Sequence, residues 1–217
     1  MSARFLDDEA RRAFKRAIEA IEGASSMEVV VAVRRASSRY LHANVLVGAL
    51  AAFAGLATML YSDREFGLLA ILVDPFIVGL LAGALVELLP AVKRVLTPPA
   101  ARRFHVERAA RAAFVERGVH NTRDRSGVLL YISWTEQLAT LVPDSGILHE
   151  IAAPALAADA LAISAAVPGG GAAVARTLEE RLLVHAPAMP RRPDDINELP
   201  DDIDSDLAPP SRKSGAE

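Results

Sequence analysis

Residues 43–60 read ANVLVGALAAFAGLATML and residues 66–86 read FGLLAILVDPFIVGLLAGALV, and these two stretches govern how everything around them is read. Asn44 is the only strongly polar side chain in the first, and the second is interrupted only by Asp74-Pro75. At about 1.5 Å per residue, each is long enough to cross a hydrocarbon core of roughly 30 Å. Only Tyr61 to Glu65 (YSDRE) lies between them, a connection so short that it predicts an antiparallel transmembrane hairpin with both ends on one side. The alternative is a soluble buried hairpin, which would need enough surrounding chain to cover two runs of this length.

Positive charge sets the expected orientation. Arg34, Arg35 and Arg39 precede the hairpin, Lys93, Arg94, Arg102 and Arg103 follow it, and the tip offers only Arg64 beside Asp63 and Glu65. Both flanks, and so both termini, are expected in the cytoplasm at an inner membrane. There Arg34, Arg35, Arg39, Lys93 and Arg94 would meet anionic lipid headgroups. The basic run from Lys93 to Arg111 is assigned to lipid for the same reason, and not to nucleic acid.

Gly79 and Gly83 form a G-x-x-x-G pair, with Ala51 and Gly55 at the same spacing on the first helix, a packing face that would serve the hairpin or a homo-oligomer. Asp74 stands out because a carboxylate at bilayer depth costs about 3 kcal/mol or more unless neutralised, paired or hydrated. Local satisfaction, by Asn44 or by backbone loosened at Pro75, is the expectation. An ion path through Asp74 would need partners from another chain.

Around the hairpin the periodicities are those of a small α/β layer. Ala10, Ala13, Phe14, Ala17, Ile18 and Ile21 make the apolar stripe of an amphipathic helix, with Asp7 or Asp8 to cap it and Gly23 to end it. Met27 to Val33 (MEVVVAV) is an almost unbroken β-branched run, the pattern of a strand covered on both faces. A second helix is expected from about Ala101 to Arg117, stopped by Gly118, followed by a buried strand at Gly127 to Ser133 and an edge strand at Thr135 to Val142. Pro143-Asp144-Ser145-Gly146 is a turn signal, and helical patterns return over Leu148 to Ala166 and Ala172 to His185.

Strands interleaved with helices predict an α/β fold, a small mixed sheet flanked by helices and interrupted by the two-helix hairpin. Residues 1–40 form the first part of this domain, 41–96 the hairpin, 97–186 the remainder, and 187–217 a tail. The 217 residues carry a net charge of -3, of which the tail, with eight acids against four bases, supplies -4. That tail also holds six of the 13 prolines and is expected to be disordered. No cysteine is present, which removes disulfides, thiol nucleophiles and cysteine-bearing metal sites. The charged stretch Met1 to Glu22 has no apolar core of the kind a cleavable signal carries.

Several separated motifs carry a likeness to a known family. They are Ser25-Ser26-Met27-Glu28-Val29, Gly118-Val119-His120-Asn121-Thr122, Arg125-Ser126-Gly127-Val128-Leu129, Ser133 with Glu136, Asp144-Ser145-Gly146-Ile147, and Asn197-Glu198-Leu199-Pro200-Asp201. In this order they resemble the TPM domain family, in particular its bacterial, membrane-anchored single-domain branch. Met27 stands where relatives carry glycine, and His185-Ala186-Pro187 where they carry His-Phe-Pro. The resemblance implies a mixed sheet flanked by helices, often tethered to a membrane. It also implies either support of membrane-complex assembly or maintenance, or a divalent-metal-dependent acid phosphatase activity.

Read from the residues alone, the chemistry is sparse. There is no phosphate loop, no Gly-x-Ser-x-Gly and no His-Glu-x-x-His, and His42, His105, His120, His149 and His185 are dispersed singly. The best candidate polar site gathers Glu28, Asp124 and Asp144 at one set of strand ends, with Asn121 and Thr122 nearby. Carboxylate and carbonyl oxygens there would suit Ca²⁺ or Mg²⁺; the competing reading is an Asx turn at Asp144 and a solvated Glu28. Trp134 is expected to pack at the sheet rim. The leading functional expectation is a non-catalytic accessory or scaffold with a membrane-protein partner; the alternative is a metal-dependent phosphatase.

Overall fold

A computed structural model describes residues 5–192, 197–200 and 202–207. The chain divides into two compact units: residues 1–37 with 103–217, and residues 38–102.

The first unit is built on four strands, β1 (Glu28–Arg34), β2 (Gly127–Ser133), β3 (Leu138–Pro143) and β4 (Asp204–Ser205), in the order β3-β2-β1-β4. β1 runs parallel to β2 and to β4, and β2 is antiparallel to β3, so the sheet is mixed. Register explains the unbroken apolar runs. Val29, Val31 and Val33 share one face with Val128, Leu130 and Ile132, while Val30 and Ala32 share the other with Leu129 and Tyr131. Helices α1 (Asp8–Ala24), α7 (Ala153–Ala166) and α8 (Gly171–Leu183) cover the first face, and α5 (Pro99–Glu116), through Val106, Ala110 and Ala113, covers the second. Each Val or Leu taken out of water on either face contributes about 1.5–3 kcal/mol, an upper figure for the driving force of the layer.

Capping follows the sequence closely at α1, where the Asp7 carboxylate accepts the Ala10 amide at 2.9 Å and Asp8 and Glu9 face the helix N-terminal partial charge. The helix runs past Gly23 to Ala24, so Gly23 is interior and not the stop. Gly118 does end its helix, in the left-handed conformation at φ 64°. The edge strand begins at Leu138, three residues later than its pattern suggests, because Trp134 to Gln137 form the turn and Gln137 takes φ 54°. The apolar stretch after Asp144 splits into α6 (Ser145–Glu150) and α7, broken at Ile151-Ala152 because Pro154 fits only the first turn of a new helix.

The tail departs from expectation. Pro190 bridges to Ser25, Met189 and Leu207 are buried, and Asp204–Ser205 pairs with Ala32 and Val33 of β1. Disorder from residue 187 onward is therefore not what these segments show; residues 193–196, 201 and 208–217 lie outside the described residues.

The second unit contains α2 (Leu41–Tyr61), α3 (Leu68–Leu85), a short 3-10 turn at Val86–Leu88 and α4 (Pro90–Leu96). Leu41–Tyr61 and Leu68–Leu88 are long and apolar enough to cross a membrane. They pack through backbone. A side chain carbon at Gly79 would stand 2.7 Å from the Gly48 oxygen, and one at Gly83 would stand 2.9 Å from the Asn44 oxygen. The partners of Gly79 and Gly83 are thus Gly48, Ala52 and Asn44, and not Ala51 with Gly55.

Candidate functional site

The hairpin presents two different surfaces. Pro75, Gly79 and Gly83 line the buried seam against α2, whereas Leu72, Phe76 and Leu80 are 63%, 73% and 75% exposed. Asp74 is on the exposed side, and among the described residues no group hydrogen-bonds or ion-pairs with it. Asn44 does not serve Asp74: its amide donates to Glu87 Oε1 at 2.5 Å near the other end of the hairpin. Lys93, 10% exposed at its side chain, donates to Glu87 Oε2 at 2.6 Å, and the Thr97 hydroxyl, which donates to the Lys93 carbonyl, lies 3.1 Å from His42 Nε2. Asn44, Glu87 and Lys93 therefore form one polar lock that joins the start of α2 to the turn and helix after α3. Arg39 remains exposed and Arg94 half-exposed.

Glu28, Asp124 and Asp144 do lie at one edge of the sheet, but each is already engaged. Asp144 caps α6 by accepting the Ser145 amide at 2.7 Å and lies 3.8 Å from the Arg125 guanidinium. Asp124 pairs with Arg192 at 2.8 Å, and Glu28 accepts the Glu198 amide at 3.0 Å. Among the described residues, no three His, Asp or Glu side chains converge closely enough to hold a metal ion. What the motifs at this edge build is a lock between loops. Thr122 accepts the Ser126 amide at 3.0 Å, Arg125 adopts φ 55°, and Gly146 has no room for a side chain because it would fall on the Asp124 carbonyl. The Asn197-Glu198-Leu199-Pro200 motif closes this edge: Glu198 Oε2 accepts the Arg123 amide at 2.7 Å and Leu199 packs on the α5 side of the sheet.

The opposite edge, at the carboxyl ends of β1 and β2, holds a polar cluster that sequence reasoning did not assemble. Ser133 donates to Glu136 Oε2, and Glu136 Oε1 accepts the Ser37 amide at 2.9 Å; Ser133 and Glu136 are 0% and 1% exposed. The Ser37 and Tyr131 hydroxyls share a 3.3 Å hydrogen bond. Burial pushes the Tyr131 hydroxyl above the ordinary tyrosine range, a shift eased by Ser37 and Arg34. Alongside, Asp204 pairs with both Arg34 and Arg117, and Asp206 accepts the Arg35 amide at 2.7 Å. Arg34, read from sequence as a headgroup contact, is thus bound to the acidic tail. The only local signal was the Ser133 to Glu136 spacing, which places both side chains across one turn.

No known family profile matches the chain, and no curated protein does. Among solved structures, the chain is similar to the NMR structure of BA42 protein from the psychrophilic bacterium Bizionia argentinensis sp. nov.. That likeness has a TM-score of 0.55 at 18% identity, covering 93% of this chain and 95% of the other. It supports the α/β fold: a four-stranded mixed sheet flanked by helices.

Two further features complete the inventory of chemistry. Asp159 and His185, 10% and 16% exposed at their side chains, meet at 2.7 Å between α7 and α8. A groove of about 850 Å³ runs along edge strand β3 between α5 and α7, walled by Val106, Leu138, Leu156 and Ala160 with Arg103 and Arg111 at its rim. Its size falls in the range of small-molecule sites. Trp134 packs against Phe5 with ring centroids 5.4 Å apart, as rim packing requires.

Proposed function

We propose that this chain is an integral inner-membrane protein with both termini in the cytoplasm, and that its TPM-like α/β unit is a non-catalytic accessory that holds a membrane-protein partner during assembly or maintenance. The observation that carries the reading is the sidedness of α2 and α3: glycines and backbone inside, large apolar side chains outside. Water would penalise such an exterior, whereas lipid accepts it. The polar groups of the α/β unit support the accessory role, because Ser133, Glu136, Asp144 and Glu28 hold loops and the tail together.

Reporter fusions test the membrane half. Alkaline phosphatase or a fluorescent protein is attached at Glu217 and, separately, inserted between Ser62 and Asp63. Cytoplasmic activity at the terminus with external activity at the tip is expected; an external terminus overturns the orientation. A metal-dependent phosphatase is the second reading, favoured by one atom: Asp144 Oδ2 is buried and, among the described residues, accepts no hydrogen bond, with only the Arg125 guanidinium 3.8 Å away. Phosphoester turnover by the purified chain that needs Mg²⁺ or Ca²⁺ and disappears in Asp144→Asn would establish it in place of the accessory role.

A further inference from the structure

We propose that Asp74 marks a docking face for a transmembrane helix of another protein, one that carries a lysine or arginine at matching depth. The proposal rests on the reading of α2 and α3 as membrane-spanning.

Geometry sets the face apart. At 100° per residue, Asp74 lies about 140° around α3 from the seam formed by Pro75, Gly79 and Gly83. Its neighbours three, four and seven residues on, Ile77, Val78 and Leu81, are 50%, 44% and 64% exposed. Asp74 follows Leu68, the first residue of the helix, by six positions, which is about 9 Å of rise. A lysine at that depth can reach the interface along its stem, but an aspartate has one methylene and cannot. The carboxylate therefore sits in an apolar stripe facing outward, and among the described residues none satisfies it. Asn44, the nearest candidate by sequence, is held by Glu87.

Charge complementarity selects the occupant. Neither Leu41–Tyr61 nor Leu68–Leu88 contains a lysine or arginine, so a second copy would oppose one carboxylate with another. The small-residue faces that usually pair identical helices are already spent within the hairpin, where Gly48 meets Gly79. A foreign helix with one basic residue supplies what is lacking: a cation for the carboxylate and an apolar surface for Ile77, Val78 and Leu81. In a medium with no competing water such a pair fixes both depth and rotation of the two helices.

The test uses the full chain in phosphatidylcholine vesicles, labelled with a donor dye at Ser62→Cys, which is the sole thiol because the natural sequence has none. The probes are acceptor-labelled leucine-alanine peptides of roughly 22 residues, long enough to span. One carries lysine six residues from its end and the other leucine there. Energy transfer is expected at a peptide-to-lipid ratio at least tenfold lower for the lysine peptide. That preference should vanish in Asp74→Leu and fall sharply in Asp74→Asn, which keeps the shape and loses the charge. Equal transfer from both peptides, or a lysine preference that survives Asp74→Leu, overturns the proposal. So does Asp74-dependent transfer between two labelled copies of the chain itself that is stronger than with the peptide, since that makes a second copy the occupant. Flotation after an alkaline wash separates the two levels. A chain that floats without preferring lysine sinks the docking face alone, and one that fails to float sinks the membrane-spanning reading and the docking face together.

Discussion

Replacing Gly79 by leucine should pull the hairpin apart, and the size of the effect can be worked from the seam. A first side-chain atom at residue 79 would lie 2.7 Å from the Gly48 oxygen and 2.9 Å from the Ala52 methyl, against 3.4–4 Å for ordinary contact. The Gly48 oxygen belongs to helix backbone and cannot rotate away, so the helices must separate locally by about 0.7 Å or more for alanine, and further for leucine. Overpacking of this kind typically costs about 1–3 kcal/mol. If α2 and α3 face lipid, as proposed, dispersion across the seam replaces the hydrophobic effect as the attraction and no compensating burial offsets that cost. We expect Gly79→Leu to lose about 1–3 kcal/mol of hairpin stability and Gly55→Ala, whose new atom would meet Pro75 Cα at 4.0 Å, to lose less than about 0.5 kcal/mol. The assay is excimer fluorescence between pyrenes on Leu56→Cys and Leu72→Cys, which line the same groove of the hairpin, as the mole fraction of dodecyl sulfate is raised. If Gly79→Leu and Gly55→Ala lose their excimer at the same dodecyl sulfate fraction as the parent, the backbone seam does not hold α2 to α3.

Three shorter predictions concern the α/β unit. Tyr131 has its ionisation raised above its ordinary value near 10, so its contribution to stability is fully present below that pH and is lost as pH climbs through the folded value; urea midpoints of Tyr131→Phe should fall less steeply in that alkaline window than those of the parent. Deleting residues 202–217 removes β4, the buried Leu207 and the Asp204 carboxylate shared by Arg34 and Arg117, and should cost about 2–4 kcal/mol in urea unfolding, where an unattached tail would cost nothing. Asp159→Ala leaves the mostly buried His185 ring without its partner and should cost about 1–3 kcal/mol at neutral pH, with a double-mutant cycle to His185→Leu showing that the two losses are not additive.

What was legible in the sequence is what local pattern encodes. Val29 to Val33 and Val128 to Ile132 are apolar at every position because helices cover both faces of their sheet, and such a run is read without knowing what covers it. The hairpin spans were legible for the same reason. β4 was not, since two residues, Asp204 and Ser205, pair with β1 through backbone alone and have no apolar pattern to betray them. The G-x-x-x-G spacing picked out Gly79 and Gly83 on α3 but does not say which α2 residues face them, which are Gly48, Ala52 and Asn44. Glu28, Asp124 and Asp144 lie near the strand ends where β1 and β2 begin and β3 finishes. Their partners, the Glu198 amide, Arg192 and Arg125, come from the tail and from a left-handed loop residue, contacts that no spacing rule reports.

The position of the hairpin in the chain explains how one domain tolerates it. Parallel neighbours β1 and β2 must be joined by a crossover, and α5, about 27 Å long, is of the length needed to run back along a seven-residue strand of about 23 Å. β1, α5 and β2 thus form an ordinary crossover unit, with residues 38–98 inserted in its first loop, at the carboxyl end of the strand where open α/β sheets most often carry added function. The buried Glu136 pins Ser37 at that exit, which fixes where the insertion leaves the sheet. Loop-closure entropy grows only with the logarithm of length, so the insertion costs the α/β unit at most about 2 kcal/mol. Exchanging residues 38–98 for about six glycines and serines should therefore give a soluble chain whose urea stability equals or exceeds that of the same unit in the parent by up to about 2 kcal/mol, and which no longer floats with vesicles. A chain that aggregates or unfolds on excision would mean that β1–α5–β2 depends on the hairpin, and one that still floats would move the membrane attachment into the α/β unit.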